Sequence, residues 1–398
     1  EGVARRHGVE KRLRVGEEVS RCEFTGGRWR LETKSGRRDE VDVVIAATGV
    51  LHHPNLPEIP GLADFEGALF HSARWDHAVA LDGRRVGVVG TGSTAVQIVS
   101  ALADRAAKIS LFQRTAQWIL PQENPPYSAA EKAEFRRSPE LLAGLHRDLS
   151  TLFSVFSSGV VDASSAQMHQ IEEGCLANLE NSVKDPVLRE RLRPSYRAAC
   201  KRLVISPDFY QAIQKPSSEL VTSGIERVEQ RGVRTRDGRL HELDVLVLAT
   251  GFRADRFIRP TEVIGRDGVR LDAVWEKRPS AYLSISIPGF PNLFMLNGPN
   301  GPVGNFSLIE IAELQFAYIL QLVGLLRTGR CREISPTAEA TARFEAERVE
   351  AAKRTIWSTG CRSWYLDDRG VPASWPFSFD RFRAEMAAPK LDAYEQLG

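Results

Sequence analysis

The sequence lacks the features that mark membrane, nucleic-acid-binding and secreted proteins. Its most apolar stretch, FAYILQLVGLL at 316–326, has eleven residues, which is too few to cross a bilayer and predicts a buried core helix. Lysine and arginine (53) nearly balance aspartate and glutamate (51), so charge favours neither nucleic acid nor an anionic membrane as a partner. No apolar segment of the signal-peptide kind follows Glu1. We therefore expect a cytoplasmic protein.

Cysteine is also scarce, and its positions form no recognisable site. The five cysteines are spread along 398 residues without a C-x-x-C pair, which predicts reduced thiols and argues against a disulfide framework, a zinc site or a redox dithiol. The eight histidines show no H-E-x-x-H or other metal-binding spacing, so we predict no metal. The cysteines are Cys22, Cys175, Cys200, Cys331 and Cys361.

What the sequence does contain is an internal repeat. Residues 12–49 and 219–251 each show short alternating strands separated by glycine-containing turns, a pattern typical of a β-meander. Each meander leads into an apolar strand that ends in Ala-Thr-Gly, at 47–49 and 249–251. A continuous apolar run predicts a strand that is buried on both faces of a parallel sheet.

Between the two copies lies the start of a βαβ unit. We predict a strand at 85–89, a glycine turn at 90–95, a helix at 93–104 and a second strand at 108–114. The turn fits G-x-G-x-x-G/A, in which small residues let a pyrophosphate approach the backbone and the amides that open the helix. This context predicts a dinucleotide site formed by Gly90, Thr91, Gly92, Ser93, Thr94 and Ala95.

The end of the second strand indicates which dinucleotide. An NAD or FAD site places an acidic residue about 20 residues after the glycine motif, where it binds the ribose 2′-OH. This chain has Gln113 and Arg114 there, and a guanidinium can pair with the 2′-phosphate of NADP. We therefore predict NADP(H); the alternative is that Arg114 is a solvated surface cation.

A segment just before this unit carries a family resemblance. Residues 65–76 read Phe-x-Gly-x-x-x-His-x-x-x-Trp-Asp, which resembles the fingerprint of Baeyer–Villiger monooxygenases, F-x-G-x-x-x-H-x-x-x-W-[P/D]. Further similar stretches are GVLHHPNLPEIPG, LFQRTAQWILP, CKR and GFPNLF, at 49–61, 111–121, 200–202 and 289–294.

The resemblance implies an α/β fold: a flavoprotein with two Rossmann-like dinucleotide-binding domains, one inserted in the other. The expected division is an NADP domain at 81–251, with a helical excursion at 124–200, inserted into an FAD domain made of 1–80 and 252–398. The composition of 124–200 agrees with this division, because it shows helical patterns without a strand signal.

The resemblance also implies the reaction. NADPH reduces FAD, O2 adds to the flavin C4a, and the resulting peroxyflavin inserts one oxygen atom next to the carbonyl of a small-molecule ketone. Related flavin monooxygenases oxidise nitrogen or sulfur with the same domain plan, and this heteroatom oxidation is the first alternative. The sequence does not identify the substrate or indicate an oligomeric state.

By the same resemblance, Arg202 is the catalytic cation and Lys201 a second contact to the 2′-phosphate. A permanently charged, planar donor can stabilise developing oxyanion charge without ionising. Judged on the residues alone, a Lys-Arg pair at the end of a helical segment is equally a solvated charge. His71, Trp75 and Asp76 belong to the fingerprint and are expected to set hinge geometry and hydride delivery. A packed aromatic residue and a structural histidine are the alternative.

Two further positions complete the predicted site. Trp364 resembles a C-terminal tryptophan that approaches the nicotinamide in the family, although core packing explains it equally well. The loop Asn297, Gly298 and Pro299 precedes a helix predicted at 307–328, and in the family this loop faces the flavin. A plain Gly/Pro turn is the competing interpretation.

One element of the family pattern is not found in this sequence. The first FAD fingerprint is expected well before the first meander, whereas residues 1–20 lead directly into it. We expect about a hundred residues of the pattern to be lacking, judging from the size of a βαβ unit. This leaves a second alternative, a chain that binds NADP(H) without catalysis. A pyridine nucleotide–disulfide reductase is disfavoured because no redox dithiol is recognisable.

Overall fold

The computed structural model describes residues 1–302, 304, 306–361, 363 and 365–398. Its helices are α1 (Gly2–Arg6), α2 (Ser93–Leu102), α3 (Ala129–Arg137), α4 (Pro139–Val160), α5 (Ala166–Ser182), α6 (Pro186–Arg191), α7 (Phe209–Ile213), α8 (Leu271–Val274), α9 (Leu308–Arg327), α10 (Ala338–Ala352) and α11 (Phe379–Ala387). Its strands are β1 (Val19–Thr25), β2 (Arg28–Thr33), β3 (Arg38–Val41), β4 (Val44–Ala46), β5 (Ala68–His71), β6 (Arg85–Val89), β7 (Lys108–Phe112), β8 (Ile119–Leu120), β9 (Val204–Ile205), β10 (Ser218–Val221), β11 (Ile225–Glu229), β12 (Gly232–Thr235), β13 (Leu240–Glu242), β14 (Val245–Leu248), β15 (Glu262–Ile264), β16 (Leu293–Met295), β17 (Glu333–Pro336) and β18 (Tyr394–Leu397).

A five-stranded parallel sheet carries the glycine turn. Its order is β10-β7-β6-β14-β5, and every neighbouring pair runs parallel. Helix α2 packs on this sheet through Ala95, Val96 and Val99, which are almost completely buried. The sequence-predicted strand, helix and second strand agree with β6, α2 and β7 to within two residues at each boundary. The α/β, Rossmann-like fold class is confirmed.

The two copies of the repeat differ in burial. Strand β14 is buried at every residue because β6 and β5 pair with its two edges. Strand β4 pairs with β16 alone, and all three of its residues are partly exposed. The prediction of a strand buried on both faces is therefore right for β14 and wrong for β4.

Both meanders form as three-stranded antiparallel units. Strands β1–β3 make one, to which β15 adds in parallel, and β11–β13 make the other. Gly36 (φ 87°) and Gly238 (φ 81°) take left-handed conformations at corresponding turns, which residues with a side chain rarely adopt. Trp29 anchors the first meander: it is fully buried and its indole donates to the Pro291 carbonyl at 2.8 Å.

The region predicted to be a helical excursion contains α3 to α6, with no strand assigned in 124–200. The predicted helix at 307–328 is α9, but its burial differs from the expectation of a core helix. One face, including Ile311, Tyr318 and Leu322, is buried, whereas Ile309 and Leu320 are exposed. Among the described residues α9 is the helix long and apolar enough to span a membrane, judged by length and composition alone.

The structure overturns the prediction that all cysteines are reduced thiols. Cys200 and Cys361 form a disulfide with a Cα–Cα distance of 6.1 Å, although 161 residues separate them in sequence. Chain spacing cannot reveal such a pair, because folding brings distant segments together. Cys22, Cys175 and Cys331 are free and buried.

Candidate active site

The glycine turn is shaped by close packing on one side and open space on the other. Gly90 (φ 119°) lies against the end of β14, and a Cβ there would overlap the carbonyl oxygen of Ala249. Gly92 caps α2 in an extended conformation, and a Cβ there would have no heavy atom within 4 Å. Ala95 is fully buried against the sheet. The turn therefore leaves free space beside the amides that open α2, as a bound pyrophosphate requires.

These two glycines make a matched pair for mutagenesis. We expect Gly90→Ala to lower the free energy of unfolding by at least about 2 kcal/mol, since it adds a backbone clash to an unfavourable φ. Gly92→Ala should destabilise the fold less but raise the Kd for NADPH about tenfold, or about 1.4 kcal/mol. Denaturant unfolding and nucleotide titration measure the two effects. Wild-type NADPH binding by Gly92→Ala would contradict the assignment of this space to a phosphate.

A chain of polar contacts connects this turn to the Lys201 region. The Thr91 hydroxyl donates to the Thr115 carbonyl at 2.8 Å, and the Gln117 amide donates to the Thr91 hydroxyl at 3.4 Å. The Tyr196 hydroxyl donates to Gln117 Oε1 at 2.9 Å. Lys201 Nζ then lies 4.7 Å from the centre of the Tyr196 ring, within cation–π range. Gln117 lies in the stretch at 111–121 that resembles the family, but that resemblance implies no role for it, and Tyr196 belongs to no motif.

Two of the predicted site residues, Arg114 and Lys201, lie close enough to repel each other. The pKa of Lys201 is lowered from its usual value, first by burial and then by the positive charge of Arg114. Arg114 is exposed, two residues beyond the end of β7. Among the described residues neither cation pairs with a carboxylate. Two cations without a carboxylate partner near the glycine turn create a positive potential that favours an anion.

Arg202 follows directly, in the irregular segment between α6 and β9. Helix α6 ends at Arg191, so the Lys-Arg pair is not the charged end of a helix, and the alternative explanation by the helix dipole loses its basis. Arg202 is exposed, and its charge reaches the buried Tyr365, where it opposes the rise in the tyrosine's pKa that burial causes.

His71 is neutral and fully hydrogen-bonded. Its Nδ1 accepts from the Ala73 amide at 3.1 Å, so Nε2 must carry the proton that it donates to the Gly251 carbonyl at 3.1 Å. Burial lowers the pKa of His71, an effect that the bond to Gly251 partly offsets. The imidazole therefore ties the end of β5 to the second Ala-Thr-Gly, which suits a hinge and not an acid–base catalyst.

The other fingerprint residues lie further along the same connection. The Trp75 ring packs edge-on against Phe70 at 5.1 Å and, together with Thr94, lines a cleft of about 530 Å³. Asp76 is exposed, and its carboxylate accepts from the Ala78 amide at 2.9 Å, closing a turn. Both residues therefore make structural contacts in the connection before β6: Trp75 packs on Phe70, and Asp76 closes a turn.

The segments that follow the two Ala-Thr-Gly sequences exchange hydrogen bonds. Thr48 of the first donates to the Phe257 carbonyl at 3.1 Å, and Thr250 of the second donates to the Asn55 carbonyl at 2.6 Å. The Asn55 amide in turn donates to the Gly251 carbonyl at 2.8 Å. Thr48 and Thr250 thus occupy equivalent positions in the two copies of the repeat. Each donates a hydrogen bond to the segment that follows the other copy.

The loop at 297–301 forms a tightly packed polar cradle. A Cβ on Gly298 or Gly301 would overlap atoms of Ser284, and Asn297 (φ 52°) and Asn300 (φ 66°) take left-handed conformations. Gln315 of α9 accepts from the Asn297 amide at 2.7 Å. Pro299 lies within the loop, which ends well before α9 begins at Leu308.

Three buried atoms in this cradle lack a hydrogen-bond partner among the described residues: Asn297 Oδ1, Asn300 Oδ1 and Gln315 Nε2. Unsatisfied buried polar groups are costly and call for a partner. These atoms have almost no exposed surface, so they lie inside the cradle and not at an open face of it. Gln315 has no sequence signal, since it resembles any polar residue in an apolar helix. The predicted contact Trp364 lies outside the described residues.

Comparison with known proteins agrees with this geometry. A family model described as flavin-binding monooxygenase-like matches residues 15–129. An uncharacterized monooxygenase of Mycobacterium tuberculosis is 47% identical over 396 residues, which cover 99% of this chain and 79% of the relative. A Baeyer–Villiger monooxygenase of Streptomyces coelicolor is 35% identical over 402 residues, covering 100% of this chain and 77% of that protein.

A solved structure extends the similarity to the fold. Cyclohexanone monooxygenase from Rhodococcus sp., bound to NADP+, matches with a TM-score of 0.87 and 26% identity, over 100% of this chain and 83% of the other. The expected family resemblance is thereby confirmed in sequence and in structure. The chain belongs to the Baeyer–Villiger and flavin-binding monooxygenase family.

Proposed function

We propose that this chain serves an FAD- and NADPH-dependent monooxygenase of the Baeyer–Villiger type, which inserts one oxygen atom from O2 next to a ketone carbonyl. The observation that carries the proposal is the pair of neighbouring cations Arg114 and Lys201, which a chain of polar contacts connects to the turn at 90–95. We further propose the division into an NADP domain at 81–251, with its helical excursion at 124–200, and an FAD domain at 1–80 and 252–398.

The nucleotide side of the proposal rests on Arg114 and Lys201. The pyrophosphate binds at the open side of Gly92, where the amides of α2 and the helix dipole favour negative charge. The 2′-phosphate then lies between Arg114 and Lys201, and its charge removes the repulsion that lowers the pKa of Lys201. Thr91, Gln117 and Tyr196 hold Lys201 toward the same space.

The flavin side rests on the cradle at 297–301. The loop at 297–301 would face the flavin, and Asn300 and Gln315 would hold it there through their hydrogen bonds to the Ala373 carbonyl and the Asn297 amide. When bound, the flavin supplies hydride acceptance and oxygen activation. The chain's own contribution is to keep this loop in one conformation.

Arg202 is the residue that we assign to the chemical step. A planar guanidinium can stabilise an oxyanion on the substrate carbonyl. Tyr365, whose pKa is affected by Arg202, lies against Gly304 of the loop that continues from the cradle. Arg202 thus follows Lys201 in sequence and interacts with a residue that packs on this loop.

A product assay with labelled oxygen tests the proposal. The protein containing this chain is given FAD, NADPH, ¹⁸O2 and three substrates: cyclohexanone, methyl phenyl sulfide and a tertiary amine. We expect a lactone that carries one ¹⁸O atom, with oxidation of NADPH. A sulfoxide or N-oxide as the sole product would support the heteroatom-oxidising alternative, and NADPH binding without turnover would support the binding-only chain. Either result would contradict the proposal.

A further inference from the structure

The disulfide is placed where it can control the site. Cys200 directly precedes Lys201 and Arg202, and Cys361 belongs to the C-terminal segment. Cys200 is fully buried and Cys361 is 5% exposed. The covalent link therefore fixes the backbone of the two cations to a part of the chain 161 residues away.

The Cys200 segment is buried, and non-covalent contacts also hold it in place. Glu172 of α5 accepts from the Arg197 side chain at 2.6 Å and from the Ala198 amide at 2.8 Å. Ala199 (φ 59°) is in the left-handed region, which alanine disfavours. The chain next becomes regular in β9, which begins at Val204. The disulfide adds a covalent link between this segment and the C-terminal part of the chain, directly before the two cations.

The segment around Cys361 interacts with Cys200 and with Arg202. The Thr359 hydroxyl donates to Cys200 Sγ at 3.6 Å. Tyr365, four residues after Cys361, interacts with Arg202 and packs on Gly304. Breaking the disulfide would remove a covalent constraint on the backbone next to Arg202. It would also remove this constraint from the segment that carries Tyr365.

The remaining cysteines are poorly suited to compete for thiol chemistry. Burial raises the pKa of Cys22 to about 11 and that of Cys175 to about 12, and it also raises the pKa of Cys331. Buried, protonated thiols are inert toward exchange. Cys175 lies in the same apolar cluster as the disulfide, so it provides a matched control.

We propose that Cys200 and Cys361 form a thiol–disulfide switch that sets the position of Lys201 and Arg202. The inference rests on the nucleotide role proposed for Lys201. A dithiol reductant attacks Sγ of Cys361, the less deeply buried of the two residues. The S–S bond breaks, and Cys200 leaves as a thiolate that takes a proton. The second thiol of the reductant then closes its own disulfide and releases Cys361 as a thiol. A low-molecular-weight disulfide reverses the step.

The experiment compares the oxidised and reduced forms of the unmodified protein. Peptide mapping without reductant should show the 200–361 linked peptide. After treatment with dithiothreitol, we expect the Kd for NADPH to rise about tenfold, equivalent to about 1.4 kcal/mol. The double variant Cys200→Ala/Cys361→Ala should bind like the reduced form and ignore the reductant. Cys175→Ala should respond to reductant as the wild type does.

Hydrogen exchange separates failure of the switch from failure of the nucleotide assignment. Reduction should speed amide exchange in peptides covering 193–203, whether or not NADPH is the ligand. Equal NADPH affinity of the two forms, or absence of the linked peptide, would overturn the switch. If neither form binds NADPH, the proposed function fails, and amide hydrogen exchange alone then tests the switch. Faster amide exchange after reduction would support the switch, and unchanged amide exchange would overturn it.

Discussion

Replacing Arg202 with alanine should reduce formation of oxygenated product by about 100- to 1000-fold, the usual cost of losing one oxyanion-stabilising donor. NADPH binding and oxidation should continue, because Arg114 and Lys201 remain in place. Arg202 is exposed and pairs with no carboxylate among the described residues, so its charge is free to act on a substrate. Parallel measurement of NADPH consumption and product yield gives the result.

Two variants make the Arg202 experiment specific. Arg202→Lys keeps the positive charge but loses the planar fork, so we expect partial recovery of product. Arg136→Ala removes an exposed arginine from α3, for which the structure gives no role in the site, and should leave the yield unchanged. Normal product yield from Arg202→Ala would remove this residue from the mechanism.

The second large effect concerns the choice of nucleotide. Arg114→Ala should raise the Kd for NADPH about 30- to 100-fold, which corresponds to about 2–3 kcal/mol for a charge-assisted contact. The Kd for NADH should change little, because NADH has no 2′-phosphate. Titration of both nucleotides into the same variant separates the two effects.

Lys201 supplies an internal check on this prediction. Lys201→Met should produce the same NADPH-selective loss, and the double variant should lose less than the sum of the single variants if both cations bind one phosphate. Equal losses for NADPH and NADH in either variant would contradict the assignment of the 2′-phosphate.

The sequence predicted correctly the strands and the glycine turn around the candidate site, because each of these elements has its own local sequence pattern. The continuous apolar runs gave β6, β7 and β14, and the glycine motif gave the turn at 90–95. The position of Arg114 just after β7 follows from the length of the βαβ unit, whereas its contact with a 2′-phosphate stays a prediction. In each case local sequence and chain geometry were sufficient.

What the sequence missed depends on contacts between distant segments. The disulfide joins residues 161 positions apart, and Tyr196 meets Gln117 across 79 positions. Strand β4 has the same apolar pattern as β14, yet its exposure is set by the number of paired neighbours and not by its own residues. Gln315 meets the Asn297 amide only because folding brings α9 beside the loop at 297–301.

A crystal structure of the protein with NADP+ tests the central claim most directly. The account predicts the pyrophosphate at the open side of Gly92 and the 2′-phosphate oxygens about 3 Å from both Arg114 and Lys201 Nζ. A 2′-phosphate in solvent, or a nucleotide bound away from the turn at 90–95, would contradict it.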